Sequence, residues 1–354
     1  MNELRLQRFR EMLSTQGYEA FLVTQPENRR YLSGFTGSAG TLLLTAAEAY
    51  LLTDFRYVEQ SRAQAPLFDI RQYQTMTDTL AELVDLLGIR QIAFEADHVT
   101  HSDAQELAEK VPVDWVSTTG LVSKLRWVKD EREIEHIAKA AAIADEALAE
   151  IMPMIKAGVT EREIALELEF AMKRRGSEGL AFNSIIASGP NGALPHAVPT
   201  DRRLVDGDFL VMDFGAVWQG YRSDMTRTLV IGTPTEKHRE IYEITLEAQL
   251  AGLAAVAPGK TGAEVDQVSR DVITRAGYGD MFGHGLGHGV GLAIHEGPTL
   301  SKRGQDPLAP GMVVTVEPGI YLPGWGGVRI EDLVVVTEDG CRILSSTTKE
   351  MITC

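Results

Sequence analysis

At 354 residues the chain is longer than one hydrophobic core usually supports, so two domains are expected. Its apolar content of 44% and charged content of 24% are typical of a globular protein that folds in water. The formal net charge of −16 argues against nucleic acid or a membrane surface as a partner. Only two cysteines occur, which excludes a disulfide framework, and the charged N-terminus is untypical of a signal peptide. These features predict a cytoplasmic protein.

The first third of the chain alternates between strand-like and helix-like patterns. Strands are predicted at 20–24, 41–44, 49–53 and 89–94, and helices at 3–16, 58–65, 77–87 and 101–110. This alternation predicts an α/β domain over residues 1–125. The glycine-rich stretch 34–40 lacks the Lys-Ser/Thr ending of a phosphate-binding loop and precedes a strand, so it is interpreted as a structural turn.

In residues 126–354 the pattern is different: it predicts helices in sequential pairs, with hairpins between the pairs. The helices are predicted at 130–151, 160–175, 236–257 and 261–276. Asp130 with Glu133, and Thr160 with Glu163, have the spacing of capping boxes at the starts of the first two. Paired helices and hairpins, without βαβ crossovers, predict an α+β domain whose antiparallel sheet is covered on one face.

The stretch 209–230 is typical of two strands joined by a turn at Gln219-Gly220. An antiparallel pairing centred just before Gln219 places Asp213 opposite Asp224, with Cβ atoms roughly 5 Å apart. Two carboxylates this close repel each other unless a cation lies between them or they share a proton. The hairpin is therefore interpreted as a metal cradle.

A second hairpin repeats the arrangement. Pairing centred on Gly324 places Glu317 opposite Glu331, again with two acids facing each other across strands. The neighbouring Asp332 and Glu338 are interpreted as plain solvated charges.

Between the two hairpins lies a glycine-rich segment, 283–296, that contains His284, His288 and His295. Glycine lets the backbone bend closely around a site. Four carboxylates and one imidazole form a hard donor set that suits two divalent cations, with Mn²⁺ favoured and Co²⁺ or Zn²⁺ also compatible. Two metals about 3.5–4 Å apart activate water and polarise a carbonyl, so hydrolysis of an amide or ester is predicted.

Five motifs extend the argument from chemistry to family. They are Asp213-Phe-Gly-Ala, Ser223-Asp-Met-Thr-Arg-Thr, His284-Gly-Leu-Gly-His, Glu317-Pro-Gly-Ile-Tyr and Val328-Arg-Ile-Glu-Asp. In this order they resemble the pita-bread metallopeptidases, and most closely the Xaa-Pro peptidases, which comprise aminopeptidase P and prolidase. Residues 1 to about 125 resemble the creatinase-type N-terminal domain, so the resemblance covers nearly the whole chain. It implies a pita-bread catalytic domain over residues 126–354.

The resemblance also implies roles for individual residues. It assigns two metal ions to Asp213, Asp224, His288, Glu317 and Glu331. Glu317 would in addition take a proton from the attacking water and pass it to the proline nitrogen.

Around these ligands the resemblance implies a substrate shell. His284 and His295 would face the substrate, and His196 would steady the tetrahedral intermediate. Arg329 would pair with a ligand carboxylate or with the substrate carboxyl group. Two further candidates for the pocket wall are Tyr221 and Tyr321.

The resemblance leaves the subtype open. The segments 35–41 and 54–57 are more similar to aminopeptidase P, which removes the first residue from longer Xaa-Pro peptides. The alternative is prolidase, which cleaves only Xaa-Pro dipeptides. A methionine aminopeptidase is disfavoured by the N-terminal domain, while metal-free creatinase and an inactive binding protein are disfavoured because every ligand position is kept. Peptides with proline at the second position are the implied partners, and a homodimer is the implied assembly.

Overall fold

The computed structural model describes residues 2–354. Contacts within the chain divide it into two compact units, Met1–Arg126 and Trp127–Cys354. Each unit has its own sheets and its own hydrophobic core. No helix in the described part of the chain has both the length and the apolar character needed to cross a bilayer.

The first unit is built around one six-stranded mixed sheet. Its strands are β1 (Ala20–Val23), β2 (Thr41–Thr45), β3 (Ala49–Thr53), β4 (Asp69–Gln72), β5 (Gln91–Glu95) and β6 (Asp114–Thr118). They lie in the order β4-β3-β2-β1-β5-β6, with β2 antiparallel to both of its neighbours and the other pairs parallel. The helices are α1 (Asn2–Gln16), α2 (Pro26–Ser33), α3 (Val58–Gln64), α4 (Met76–Leu87), α5 (His101–Lys110) and α6 (Leu121–Trp127). The predicted α/β class is confirmed.

Four elements of this unit escape prediction from the sequence: the edge strands β4 and β6 and the short helices α2 and α6. Neither edge strand shows a clear apolar pattern, because β4 reads Asp-Ile-Arg-Gln and β6 reads Asp-Trp-Val-Ser-Thr, and most of these residues are at least partly exposed. Helix α2 opens with Pro26, whose missing N–H is harmless at the first helical position, and it ends at Gly34 with φ of 84°.

The second unit contains two long pairs of helices. These are α7 (Glu131–Ile151), α8 (Glu161–Arg174), α9 (Glu236–Ala255) and α10 (Gly262–Arg275). Both predicted capping boxes are present, at the starts of α7 and α8. Each box satisfies backbone N–H groups that a helix start otherwise leaves without partners.

The strands of this unit form two main sheets and two short ribbons. One sheet has the order β19-β11-β8-β7, from β7 (Ile185–Ser188), β8 (Phe209–Phe214), β11 (Met225–Val230) and β19 (Ile352–Thr353). The other has the order β13-β12-β14-β17-β18, from β12 (Gly287–Gly289), β13 (Glu296–Leu300), β14 (Val313–Val316), β17 (Asp332–Val336) and β18 (Cys341–Ile343). The ribbons pair β9 (Val217–Trp218) with β10 (Tyr221–Arg222), and β15 (Gly319–Leu322) with β16 (Gly326–Arg329).

Each main sheet buries one face against one helix pair. Leu210, Met212 and Phe214 of β8 belong to the core formed with α7 and α8. Val314 and Val316 of β14 belong to the core formed with α9 and α10. Successive residues of a strand point to opposite faces, so the residues between these apolar positions are turned away from the helices. The predicted α+β class is confirmed.

One buried carboxylate in α7 forms hydrogen bonds with a segment that lies about 200 positions later in the chain, at Ser346 and Thr347. Asp145, 6% exposed, accepts hydrogen bonds from the backbone N–H groups of Ser346 and Thr347 at 2.7 and 2.8 Å and from both of their hydroxyls at 2.9 and 2.6 Å. A short side chain on a helix thus replaces the sheet partners that this irregular segment lacks.

Replacing Asp145 by alanine is therefore expected to destabilise the second unit. The change leaves two partly buried N–H groups without their acceptor, and the expected loss of unfolding free energy is about 2–3 kcal/mol. A shift in the urea midpoint measures it. Glu146→Ala, at the adjacent solvent-exposed position, is the matched control and should shift the midpoint by less than about 0.5 kcal/mol. Equal midpoints for the two variants would contradict the assigned role.

Candidate metal centre

The first predicted hairpin exists, but its register differs from the predicted one. A two-residue turn with positive φ at both Gln219 (48°) and Gly220 (73°) makes Trp218 the partner of Tyr221. Carried down the strands, this register pairs Asp213 with Thr226. The prediction that Asp213 lies directly opposite Asp224 is therefore wrong.

The observed register is shifted by two residues from the predicted one, and such a shift keeps each side chain on its predicted face. Side chains alternate between faces with a period of two, so Asp213 and Asp224 still lie on the same face as diagonal neighbours. The turn decides the register, because a two-residue loop with two left-handed residues is centred between Gln219 and Gly220.

The register of the second hairpin is the predicted one. Strands β14 and β17 pair Val316 with Asp332, and the ribbon β15–β16 pairs Gly319 with Arg329. Both pairings continue one register, which places Glu317 opposite Glu331 at the junction between them. The ladder breaks at this junction, where Pro318 has no N–H to donate.

Three of the predicted acids converge in the interior. Carboxylate oxygens of Asp213, Asp224 and Glu331 all lie within 4.8 Å of one another, and the three residues are buried. One oxygen of each, Oδ1 of the two aspartates and Oε1 of the glutamate, has no hydrogen-bond partner among the described residues. Buried oxygens without donors are costly unless a cation satisfies them, so this donor set fits one or more divalent ions.

The electrostatics of the cluster support the same interpretation. Burial, reinforced by the charges of Glu331 and Asp213, raises the pKa of Asp224 well above its usual value. Burial, reinforced by the charges of Glu317 and Asp213, does the same for the pKa of Glu331. Without added positive charge the site therefore favours protonated acids, and a divalent cation would reverse that preference.

His288 and Glu317 stand at the edge of the cluster. The Nε2 atom of His288 lies 3.5 Å from Oδ2 of Asp224 and 3.4 Å from Oε1 of Glu317. Its Nδ1 atom lies 3.1 Å from the Gly289 carbonyl oxygen, which assigns the proton to Nδ1 and turns the Nε2 lone pair towards the acids. Burial lowers the pKa of His288 and so favours the neutral, metal-binding form.

Glycines beside His288 make its position possible. A Cβ atom on Gly287 would come within 2.0 Å of the Thr315 carbonyl oxygen, and one on Gly289 within 2.2 Å of the Gly297 carbonyl oxygen. The short strand β12 can therefore enter between β13 and β14 only without side chains at these two positions.

The guanidinium group of Arg329 makes four hydrogen bonds to residues around the site. Its Nη2 atom donates to Oδ2 of Asp213 at 2.6 Å, and its Nε atom donates to Thr226 Oγ1 at 3.0 Å. Its Nη1 atom donates to the Tyr321 hydroxyl at 2.8 Å and to the Pro195 carbonyl at 3.3 Å. The geometry favours the first of the two predicted roles, pairing with a ligand carboxylate.

Thr226 links this arginine to the acid cluster. Its hydroxyl accepts from Arg329 and donates to Oε2 of Glu331 at 2.7 Å. The backbone N–H of Glu331 donates to the Thr226 carbonyl at 3.1 Å. Arg227 braces both residues from behind, because its Nη1 atom donates to the carbonyls of Thr226 and Glu331.

Behind Arg227 lies an acid that was predicted to be solvated. Asp332 is 1% exposed and accepts from Arg227 at 2.8 Å, Gln249 at 2.9 Å and Lys349 at 2.5 Å. The prediction for Asp332 is wrong. Asp332 opens β17 directly after Glu331, so its side chain points to the opposite face, into the helix-covered core, where these partners compensate its charge. Glu338 is exposed, as predicted.

The cluster forms the floor of a cavity of about 670 Å³. Its lining includes the predicted residues Asp213, Asp224, Glu317, Arg329, His196, His284, His288 and His295. Glu331 is not in the lining and lies beneath the floor. The imidazole of His295 packs edge-on against that of His288, with ring centroids 4.4 Å apart.

His284 is held as a neutral imidazole in the cavity wall. Burial lowers its pKa to about 4. Its Nδ1 atom lies 2.7 Å from the Gly285 carbonyl oxygen and its Nε2 atom 2.8 Å from the Tyr321 hydroxyl. Tyr321 therefore stands behind the wall and connects His284 to Arg329.

The structure places Tyr221 away from the cavity, contrary to the prediction for it. Its hydroxyl donates to Oε1 of Glu133 at 2.8 Å, and its ring stacks on His136 at a centroid distance of 5.6 Å. The two-residue turn sets this direction, since Tyr221 follows Gly220 on the strand face towards α7.

Several cavity residues escape prediction from the sequence. Phe182, Asn183, Ser184 and Ile185 line the cavity where β7 begins. Their pattern is that of an ordinary buried strand start and carries no chemical signal. Thr315 lies next to the lining, and its hydroxyl donates to Oε1 of Glu317 at 3.0 Å. It was detectable in principle, because residues two positions apart in an extended chain share a face.

Comparison with known proteins agrees with this geometry. Residues 135–338 match the model of metallopeptidase family M24, and residues 5–128 match that of the creatinase/prolidase N-terminal domain. A solved Xaa-Pro dipeptidase from Bacillus anthracis is 44% identical, with a TM-score of 0.98 over 100% of both chains. A solved X-Pro aminopeptidase from Thermotoga maritima is 40% identical, with a TM-score of 0.91 over 99% of both chains.

A third relative extends the likeness to the archaea. An Xaa-Pro dipeptidase from Pyrococcus horikoshii is 38% identical over 354 residues, which cover 99% of each chain. The pita-bread fold and the resemblance predicted from the five motifs are thus confirmed. The chain belongs to metallopeptidase family M24 and carries the creatinase/prolidase N-terminal domain.

Proposed function

We propose that this metallopeptidase hydrolyses the bond before proline in Xaa-Pro dipeptides, as a prolidase does. The observation that carries the proposal is the convergence of three buried carboxylates, each with an unpartnered oxygen, at the floor of a cavity lined by four histidines. Relatives named Xaa-Pro dipeptidase, at 44% and 38% identity, support the dipeptide as substrate.

The aminopeptidase P activity favoured from the sequence becomes the second candidate. It is supported by the Thermotoga maritima relative, which is named an X-Pro aminopeptidase and is 40% identical. The segments 35–41 and 54–57 that favoured it belong to the first unit, Met1–Arg126, rather than to the unit that contains the cavity.

The proposed cofactor is a pair of divalent ions, with Mn²⁺ favoured and Co²⁺ or Zn²⁺ also compatible with the donor set. Asp213, Asp224, His288, Glu317 and Glu331 would hold them. When bound, such ions supply Lewis acidity, which makes water more acidic and polarises a carbonyl group.

Glu317 is the residue proposed to move protons. Burial raises the pKa of Glu317 to about 7, a range in which a carboxylate both accepts and returns a proton at neutral pH. It would take one proton from the attacking water as the carbon–oxygen bond forms. It would return that proton to the proline nitrogen as the carbon–nitrogen bond breaks.

The histidines are proposed to bind and orient the substrate. His196 would stabilise the oxyanion that develops on the scissile carbonyl, while His284 and His295 would contact the substrate beside it. Because a bond before proline has no N–H, the site needs no acceptor for that group.

Chain length separates the two candidate activities. With Mn²⁺ present, the protein is expected to release proline from Ala-Pro at least tenfold faster than it releases alanine from Ala-Pro-Ala. Ala-Ala is the control peptide and should resist cleavage. Preferential cleavage of the tripeptide would support the aminopeptidase, and cleavage of neither proline peptide would reject both.

Asp224→Asn is expected to abolish most activity and to remove bound metal. An amide cannot neutralise a divalent cation, and activity is expected to fall at least 10²-fold. Metal analysis after dialysis and the Ala-Pro assay measure the two effects. Asp306→Asn, a solvent-exposed position, is the control and should keep both properties. Full metal content and activity in Asp224→Asn would exclude it as a ligand.

The acid cluster also predicts how stability depends on pH. A folded-state pKa of about 7 for Glu317, against an ordinary value of 4.5, means that the native state keeps a proton that the unfolded state has lost. The stability contributed by this group is therefore full below about pH 4.5 and is lost as the pH rises through about 7. The raised pKa values of Asp224 and Glu331 act in the same direction.

Urea unfolding between pH 5 and 8 tests this linkage. In EDTA, the wild type is expected to lose stability relative to Glu317→Gln as the pH rises. Added Mn²⁺ should stabilise the wild type more at pH 8 than at pH 6, because metal binding displaces protons. A wild-type stability that rises relative to Glu317→Gln over this window would contradict the assignment.

A further inference from the structure

One wall of the cavity is a loop whose two largest aliphatic side chains are exposed. It runs from the end of β7 at Ser188 to Thr200, and residues 195–199 of this loop line the cavity. Leu194 and Val198 are 58% and 76% exposed, so their apolar side chains do little to hold the loop in place. Ala197 is buried in a small apolar cluster with Ile185 and Ala187, and the remaining restraints on the position of His196 are polar.

A single carboxylate binds both ends of this loop. Glu161, in the first turn of α8, is 0% exposed. Its Oε1 atom accepts from the backbone N–H and the hydroxyl of Ser188, both at 2.7 Å. Its Oε2 atom accepts from the backbone N–H of Thr200 at 2.9 Å and from the Thr200 hydroxyl at 2.6 Å. The two loop ends therefore share one acceptor group.

Two further contacts complete the restraint. Asn191 lies inside the loop, and its Nδ2 atom donates to both oxygens of Glu161 at 3.1 and 3.2 Å. On the far side, Arg329 donates to the Pro195 carbonyl at 3.3 Å. The segment that carries His196 is thus tied to α8 at its base and to the acid cluster near its apex.

We propose that Glu161 is a positioning residue that acts through His196. It touches neither the cavity nor the acid cluster, and its effect would reach the reaction through the loop geometry. The inference rests on the proposed function, because it assigns to His196 the stabilisation of the oxyanion. A displacement of about 1 Å at such a group is enough to lower turnover by about 10²-fold.

A carboxylate is required here, and its amide is not equivalent. Each oxygen of Glu161 faces a backbone N–H, that of Ser188 on one side and that of Thr200 on the other. Glutamine has one oxygen and one NH₂ group, so in either orientation an N–H would point at another N–H. One end of the loop would then be released while the side-chain volume stays the same.

The matched control is Glu163, two residues further along the same helix turn. Its carboxylate accepts from the N–H and hydroxyl of Thr160 at 2.7 and 2.8 Å, on the side of the helix start away from the Ser188 and Thr200 N–H groups that Glu161 binds. Glu163→Gln removes a negative charge from the first turn of α8, as Glu161→Gln does, without removing an acceptor from either loop end. Any loss that comes from the missing charge in this turn appears in both variants.

A double-mutant cycle with His196→Ala tests the coupling. In the wild-type background, Glu161→Gln is expected to lower kcat for Ala-Pro by about 10–100-fold, with bound Mn²⁺ unchanged. In the His196→Ala background the same change is expected to cost less than about threefold, because the group it positions is already gone. Glu163→Gln should change kcat less than about threefold in both. Equal losses from Glu161→Gln in the two backgrounds would overturn the proposal.

Hydrogen exchange supplies a readout that does not depend on activity. Amides of residues 189–199 are expected to exchange at least tenfold faster in Glu161→Gln than in the wild type or in Glu163→Gln. Thr200→Val, at an exposed position, removes the hydroxyl that donates to Glu161 and accepts from the Arg202 N–H, but it keeps the backbone N–H bond to Glu161. It gives a milder variant with the same expected direction if Glu161→Gln does not fold. Unchanged exchange in the loop would overturn the role of Glu161, whereas a wild type that cleaves no Xaa-Pro peptide would overturn the proposed function instead.

Discussion

The arrangement of this site depends on keeping three buried carboxylates within 4.8 Å of one another. Their mutual repulsion and their loss of hydration both oppose folding, and Arg329, through Asp213, offsets only part of that cost. The surrounding structure compensates with fixed donors: Thr226 holds Glu331, and Arg227 holds the backbone of both. Asp332 in turn pairs with Arg227, so a positive and then a negative group follow one another outwards from the acid cluster. Because the fold holds these acids close together, their unpartnered oxygens form a set that suits cations.

Alternation of side chains places polar residues of both main sheets on the faces turned away from the helices. In each sheet, alternate residues of a strand pack against a helix pair, and the residues between them can be polar because they lie on the other face. Asp213 stands between Met212 and Phe214, and Thr315 between Val314 and Val316. A one-residue shift in either sheet would bury acids among the helices and expose apolar side chains to the cavity. The hydrophobic cores therefore specify the site as strictly as they specify the fold.

Much of this could be predicted from the sequence because two rules are strong. Helix caps and strand periodicity locate the long elements, and the symmetry of a hairpin locates acids that share a face. The second hairpin followed the predicted register, whereas in the first the left-handed pair Gln219-Gly220 moved the centre and separated Asp213 from Asp224 by two residues. Asp332 was misjudged because a charged residue in a strand gives no sign of the arginine that pairs with it 105 positions away. The cavity residues from Phe182 to Ile185 carry no signal distinct from an ordinary strand start.

The order of the acids along the chain bears on how the site comes into being. Asp213 and Asp224 sit on one hairpin, but Glu331 arrives only after both helices α9 and α10 and the histidine segment have been made. During synthesis, the ribosome releases the first two acids long before the third, so a nascent chain offers an incomplete and weak binding set. Long-range contacts of this kind also form slowly. A binding set that includes all three buried acids therefore requires that these distant segments of the chain have been brought together.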